Sequence, residues 1–112
     1  MHNNKILSIY YNKILSIYYN IIYRMQQYLA EFSGTLFFVY IILATGNPLA
    51  IGAALALVIL LAAPISGGHM NPAVSITMAS LGKIDRSELI PYCLAQIFGA
   101  LVALEVYKRY KL

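Results

Sequence analysis

Between Glu31 and Lys83 the chain carries no Asp, Glu, Lys or Arg, and His69 is the stretch's one candidate for titration near neutral pH. A soluble fold could hide so long an uncharged run only inside a large core, and about 100 residues cannot build one. Over all 112 residues, 61% are hydrophobic and 11% charged, against about 25% charged in an average soluble domain. The same apolar excess excludes disorder. These features describe an integral membrane protein.

The net charge of +4 does not point to nucleic acid. Lys5, Lys13 and Arg24, then Lys83 and Arg86, then Lys108, Arg109 and Lys111 bracket the apolar segments as membrane flanks do. Nucleic-acid binding would need them gathered on one face. Cys93 is the single cysteine, so no intramolecular disulfide forms. One Cys and two distant His residues offer no metal-ligand spacing, and neither metal nor cofactor is expected.

The first 24 residues differ in kind. The octet Asn4-Lys-Ile-Leu-Ser-Ile-Tyr-Tyr11 is repeated at once as Asn12 to Tyr19, and a degraded start follows at Asn20. Solenoid repeats need about 20 residues or more per unit, so this is a low-complexity duplication. The segment is too polar at Asn12 and Asn20 to span a bilayer, and it lacks a signal-peptide cleavage site. Its Tyr and Lys residues suit a helix lying on the membrane surface. The favoured expectation is an unstructured extension, residues 1–24, ahead of a membrane domain at 25–112.

Tyr28 to about Thr45, Leu49 to about Ile65 and Leu89 to about Tyr107 are apolar runs near the ~20 residues that span a ~30 Å hydrocarbon core. Gly46-Asn47-Pro48 separates the first two. After the second, Ser66-Gly67-Gly68-His69-Met70 breaks any helix, and Asn71-Pro72 restarts one that runs to about Ser80, before Gly82. About nine residues at 1.5 Å each reach about 14 Å, half the membrane. The expected fold is therefore all-α, with three transmembrane helices and one re-entrant half-helix. Non-helical backbone cannot face lipid, so residues 66–70 must be buried in protein or line a water-filled cavity. Asn71 is a good N-cap and Pro72 a natural first residue, which places a positive helix end near mid-membrane. Two glycines let the preceding carbonyls turn toward the same space. Channels and transporters use such loops.

Plainer readings stand beside these. An isolated Asn-Pro pair usually marks an ordinary helix start, and His69 reads first as a residue that fixes the turn. Glu31 either snorkels near the start of its helix or serves a function, as intramembrane carboxylates commonly do. Gln96 can bond across helices, and the small residues Ala95, Gly99 and Ala103, like Ala30 and Gly34, recur at packing spacing.

Ser66-Gly-Gly-His-Met-Asn-Pro-Ala-Val-Ser75 closely resembles the first pore loop of the aquaporin and glycerol-facilitator family, with its Asn-Pro-Ala box at 71–73. Ala30 to Val39 resembles that family's first helix, and Ala95 to Ala100 its third. The resemblance, from about Met25 to Tyr107, implies a passive channel for water or small neutral solutes such as glycerol, and not an enzyme. By similarity, the Asn71 amide donates to solute at the pore centre, next to Pro72 and Ala73. Carbonyls of Gly67, Gly68, His69 and Met70 accept along the path, and Glu31 braces the loop from behind, with Gln96 as a second support. Ile51 falls where the family usually has a filter-lining aromatic, which implies a wider or less polar filter. Proton exclusion follows from the positive half-helix ends.

Family members consist of two such halves in inverted orientation, and this sequence resembles the first. Three accounts follow. The chain is a truncated or split member completed by a second-half partner chain; it pairs with an inverted copy of itself as a homo-oligomer; or it is a non-conducting partner or scaffold for full-length channels, or an inactive relic. A membrane enzyme would need an acid–base set that the apolar stretch does not offer, and a simple scaffold would not need the loop. With the N-terminus cytoplasmic, Lys5, Lys13, Arg24, Lys83 and Arg86 lie inside against Lys108, Arg109 and Lys111 outside; from Met25 onward the balance is two against three. So weak a bias permits both orientations. If inverted pairing operates, a reporter fused to the C-terminus will be found on both sides of the membrane; a one-sided reporter removes that account.

Overall fold

The computed structural model describes residues 2–110. Lys111, counted above with the basic flank, lies outside them. Helix α1 runs His2–Thr45, α2 Pro48–Ser66, α3 Pro72–Leu81 and α4 Leu89–Arg109, with a short 3-10 turn at Arg86–Glu88. No strand occurs among the described residues.

Local chemistry sets the boundaries. The Asn47 side chain accepts from the N–H of Leu49 at 2.9 Å and of Ala50 at 3.2 Å, and Pro48 opens α2. Asn71 does the same for α3, accepting from Ala73 N–H at 2.8 Å ahead of Pro72. Each cap satisfies donors that a helix start leaves without partners. Gly67 ends α2 at φ +92°, and Gly82 ends α3 at φ +84°, a left-handed backbone that glycine adopts without steric cost. At 1.5 Å per residue the 19 residues of α2 reach about 28 Å and the 21 of α4 about 31 Å. Helices α1, α2 and α4 are long and apolar enough to cross a membrane. The 10 residues of α3 reach about 15 Å, half that depth.

Helix α1 is the centre of the bundle. It packs against α2 on one side and α4 on another, while α3 rests on α4; α2 and α4 meet through the Tyr92 hydroxyl, which reaches the last residue of α2, Ser66. The buried face of α2 is Ala54, Val58, Ala62 and Ser66, and that of α4 is Tyr92, Gln96, Gly99 and Ala103. Large apolar side chains such as Leu60 and Leu61 point outward, where lipid solvates them. Apolar burial therefore contributes little to helix association, and close packing of small residues carries it. Gly99 is the closest approach. A Cβ there would strike the carbonyl oxygen of Phe32 and lie 3.2 Å from the Leu36 nitrogen.

Two contacts fix which ends coincide. Arg24 Nε lies 3.2 Å from Glu88 Oε1, and the Tyr28 hydroxyl donates to Glu88 Oε2 at 2.6 Å. The turn at 82–88 and residue 24 thus share one end of the bundle.

One expectation is corrected. Residues 2–24 are not an unstructured stretch but the first half of α1, continuous across the boundary placed at Met25. No Gly or Pro precedes Gly34 in this helix. Once its C-terminal half is docked, each further residue adds a hydrogen bond without a new nucleation cost.

Replacing Gly99 by Val will separate α1 from α4. Overpacking costs about 1–3 kcal/mol where side chains can yield, and here the obstacle is backbone, so the upper part of that range is expected. Reversible unfolding in mixed micelles measures it.

Candidate functional site

The loop between α2 and α3 leaves the helical ladder inside the bundle, so each of its N–H groups must find an acceptor. Gly67 N–H bonds the Ala63 carbonyl at 3.1 Å and Gly68 N–H the Ser66 hydroxyl at 3.2 Å. His69 N–H reaches Glu31 Oε2 at 3.0 Å, and Met70 N–H reaches Glu31 Oε1 at 2.8 Å. The carboxylate also accepts from the Ser66 hydroxyl at 2.6 Å and from Gln96 Nε2 at 2.8 Å. Glu31 has no exposed surface. Four donors from α2, the loop and α4 compensate the buried charge in place of a cation.

The N–H bonds also orient the carbonyls. In a trans peptide the N–H of one residue and the C=O of the residue before it point in opposite directions. Holding the N–H groups of Gly68, His69 and Met70 on the Ser66–Glu31 side therefore turns the carbonyls of Gly67, Gly68 and His69 the other way. Among the described residues no protein donor reaches the carbonyls of residues 67–70. Gly67 and Gly68 (φ +92° and +66°) and Met70 (φ +54°) make the loop's sharp path. At Gly68 a Cβ would also come within 3.2 Å of the α2 backbone at Ile59.

Met70 is the non-glycine residue held at positive φ, a strain of about 1–3 kcal/mol that surrounding structure must impose. Its buried side chain packs with Val58 and Ala62 and fills the hollow left by Gly34, where a Cβ would collide with its terminal methyl. The Thr35 hydroxyl meets its sulfur at 3.7 Å.

The His69 side chain is likewise turned inward. Its Nδ1 lies 2.8 Å from Ser75 Oγ, and its ring stacks obliquely on Tyr92 with centroids 5.1 Å apart. Gln96 Nε2 donates to both Glu31 and Ser75, the latter at 2.9 Å. The direction of the His69–Ser75 bond follows the tautomer of the ring. The Tyr92 hydroxyl donates to the Ser66 carbonyl at 2.8 Å. Gln96 Oε1 is the one buried side-chain polar atom without a partner among the described residues.

Asn71 and Ala73 are exposed and Pro72 half-buried. The Asn71 oxygen is spent on the cap, so its Nδ2 is the free donor at the start of the half-helix. Gly67, Ser66 and His69 border an open cleft of about 400 Å³ that also touches Tyr23, Gln27 and Lys83 toward the charged end. Ile51 stands apart. It sits half-buried in the first turn of α2, 15 residues or about 22 Å of helix from Ser66, and joins none of these contacts.

Residues 19–111 match the family described as MIP, major intrinsic protein. The chain belongs to the major intrinsic protein family. The match begins within the second octet. Glycerol uptake facilitator protein-like 6 of Lactiplantibacillus plantarum is 43% identical over 95 residues, which is 77% of this chain and 44% of that protein. Aquaporin-8 of Notomys alexis is 47% identical over 60 residues, covering 54% of this chain and 23% of its own. Aquaglyceroporin AqpS of Rhizobium meliloti is 40% identical over 55 residues, 49% of this chain and 24% of its own. The chain thus matches less than half the length of these curated relatives. No solved structure matches it.

In this major intrinsic protein the site includes residues that sequence reasoning did not single out: Tyr92 and Ser75 in the network, and Arg24, Tyr28 and Glu88 at the end of the bundle. Tyr92, Gln96, Gly99 and Ala103 follow the 4-3-4 spacing of one helix face, a signal that would have drawn Tyr92 in. Glu31→Gln turns one acceptor oxygen into a donor facing donors. Each acceptor lost costs about 1–3 kcal/mol, and faster hydrogen exchange at His69 and Met70 relative to the spans will report it.

Proposed function

We propose that the chain supplies one half of a passive channel for water or small neutral solutes such as glycerol, completed by a second, inverted half. The observation that carries this reading is the asymmetry of the loop: its N–H groups are held inward on protein, while among the described residues the carbonyls of residues 67–70 have no protein donor. Acceptors at fixed positions suit molecules that donate through O–H and carry no charge. The free Nδ2 of Asn71 adds a donor where the row meets the half-helix, and the positive helix end disfavours cations and protons there. The cleft beside Ser66, Gly67 and His69 offers an approach from the charged end. Ile51 belongs to the opposite half of the path, where an aliphatic side chain leaves a filter less polar than an aromatic one.

The names of the relatives, a glycerol uptake facilitator, an aquaporin and an aquaglyceroporin, agree with this solute class. An enzymatic role finds no support, because the His69 ring is engaged with Ser75 and Tyr92.

Under this proposal the second half comes from an inverted copy of this chain or from a distinct second-half sequence. Osmotic shrinkage of proteoliposomes containing the full chain, run with water and glycerol gradients against empty vesicles, separates these. Flux above background that falls to background in Asn71→Asp supports assembly of copies into a pore. Absence of flux from inserted, helical protein that reappears when a second-half chain is co-reconstituted identifies a split channel. Absence of flux in both leaves a non-conducting partner of full-length channels and overturns the proposal.

A further inference from the structure

The first half of α1 carries an apolar seam that no other described residue covers. Leu7, Tyr11, Ile14, Tyr18, Ile21 and Met25 follow one another at spacings of 4, 3, 4, 3 and 4, the a/d pattern of a coiled coil. Their exposures are 63%, 63%, 64%, 57%, 54% and 53%. Lys5, Asn12, Lys13, Ser16 and Asn20 occupy the opposite face, together with the exposed Ile9 and Tyr23. The octet period hides this register: eight residues turn a helix by 800°, so each copy of the repeat is rotated about 80° from the last, yet the apolar positions of the two copies interleave into one heptad stripe.

Geometry decides between the two surfaces such a stripe could meet. To lie on the membrane, the helix would have to bend sharply near residue 24, where it leaves the bundle. Sharp kinks need Pro, Gly or a bulge, and α1 has no Pro or Gly before Gly34. The Glu88 contacts of Arg24 and Tyr28 also clamp α1 on the bundle at that point. Residues 2–23 therefore project along the helix axis for about 33 Å, consistent with the 67 Å longest dimension of the molecule. Copies inserted in the same orientation all project these segments from one side, parallel and in register.

We propose that the occupant of this seam is the same segment of further copies of this chain, forming a parallel helical bundle outside the membrane. At roughly 100 Å² per seam side chain, six present roughly 600 Å² per copy, and flanking Tyr10, Ile17 and Ile22 bring this near the about 800 Å² per partner of a stable interface. Those flanks widen the apolar band beyond a two-stranded seam and favour more than two helices. Lys5 and Lys13 face outward, and Arg24 is neutralised by Glu88, so like charges do not meet at the seam. The bundle selects parallel copies and is independent of whether the membrane part conducts, because an inverted copy sends its extension to the other side.

The test uses the full chain in lipid vesicles with Cys93→Ser as background, adding either Ile14→Cys on the seam or Ser16→Cys on the opposite face. Disulfides form only when Cβ atoms come within about 4.5 Å, so mild oxidation should link Ile14→Cys chains into dimers at least about tenfold more than Ser16→Cys chains. Adding Leu7→Glu and Ile21→Glu should abolish the Ile14→Cys product while a full-length helical chain remains inserted. Equal linking at both positions, or linking at neither, overturns the bundle. Quenching of a fluorophore on Ile14→Cys by brominated lipid also overturns it, by assigning the segment to the membrane surface instead.

Discussion

A loop that leaves the helix inside an apolar bundle needs acceptors for its N–H groups, and neither lipid nor the already paired carbonyls of neighbouring helices can supply them. In this chain one carboxylate meets that need. Glu31 takes the N–H groups of His69 and Met70 directly and steadies that of Gly68 through Ser66. The demands of that position explain much of the remaining packing. Helix α1 must lie beside the loop, so it occupies the centre. Gly34 must be small so that Met70 can lodge against α1, and Gly99 must be small so that α4 comes near enough for Gln96 to reach the same carboxylate. Burying an ion costs several kcal/mol, and only the full set of donors makes the position tolerable.

The same contacts set the direction of the loop's carbonyls. Because peptide units are rigid, an N–H held on Glu31 keeps the preceding C=O pointing away from it. A flipped peptide would place a carbonyl oxygen against the carboxylate, a repulsion in a low-dielectric interior. The acceptor row is thus held by electrostatics behind the loop, and Ser75, His69 and Tyr92 add a second layer that fixes the loop's flank and its junction with α2.

Local signals were legible in the sequence. Gly46-Asn47-Pro48 marks the turn between the first two spans, residues 66–70 and Gly82 mark breaks, Asn71-Pro72 marks a helix start, and the short apolar run after Asn71 announces its half-membrane length; the observed α3 differs from the reading by one residue at its end. Contacts between distant residues were harder to read. Tyr28 and Glu88 meet across 60 positions, and nothing within either local window marks the other. The tandem octet and the polar Asn12 and Asn20 point to an unstructured extension, whereas residues 2–24 are helical. Helix continuation depends instead on the absence of breakers and on a docked helix to extend, and both hold here.

A single copy leaves a specific imbalance at mid-membrane depth. Among the described residues the carbonyls of residues 67–70 and the Asn71 Nδ2 group have no protein partner, and each such group costs several kcal/mol if it faces hydrocarbon. Five groups together would cost on the order of 10 kcal/mol or more, comparable with the whole stability of a domain. A chain with this loop facing lipid would therefore lose the loop before it lost its helices. The arrangement is tenable where a polar column of water or hydroxylated solute lies along the loop and protein encloses that column on its far side. The unsatisfied groups are thus a physical reason for polar matter, and not lipid, to lie along the loop.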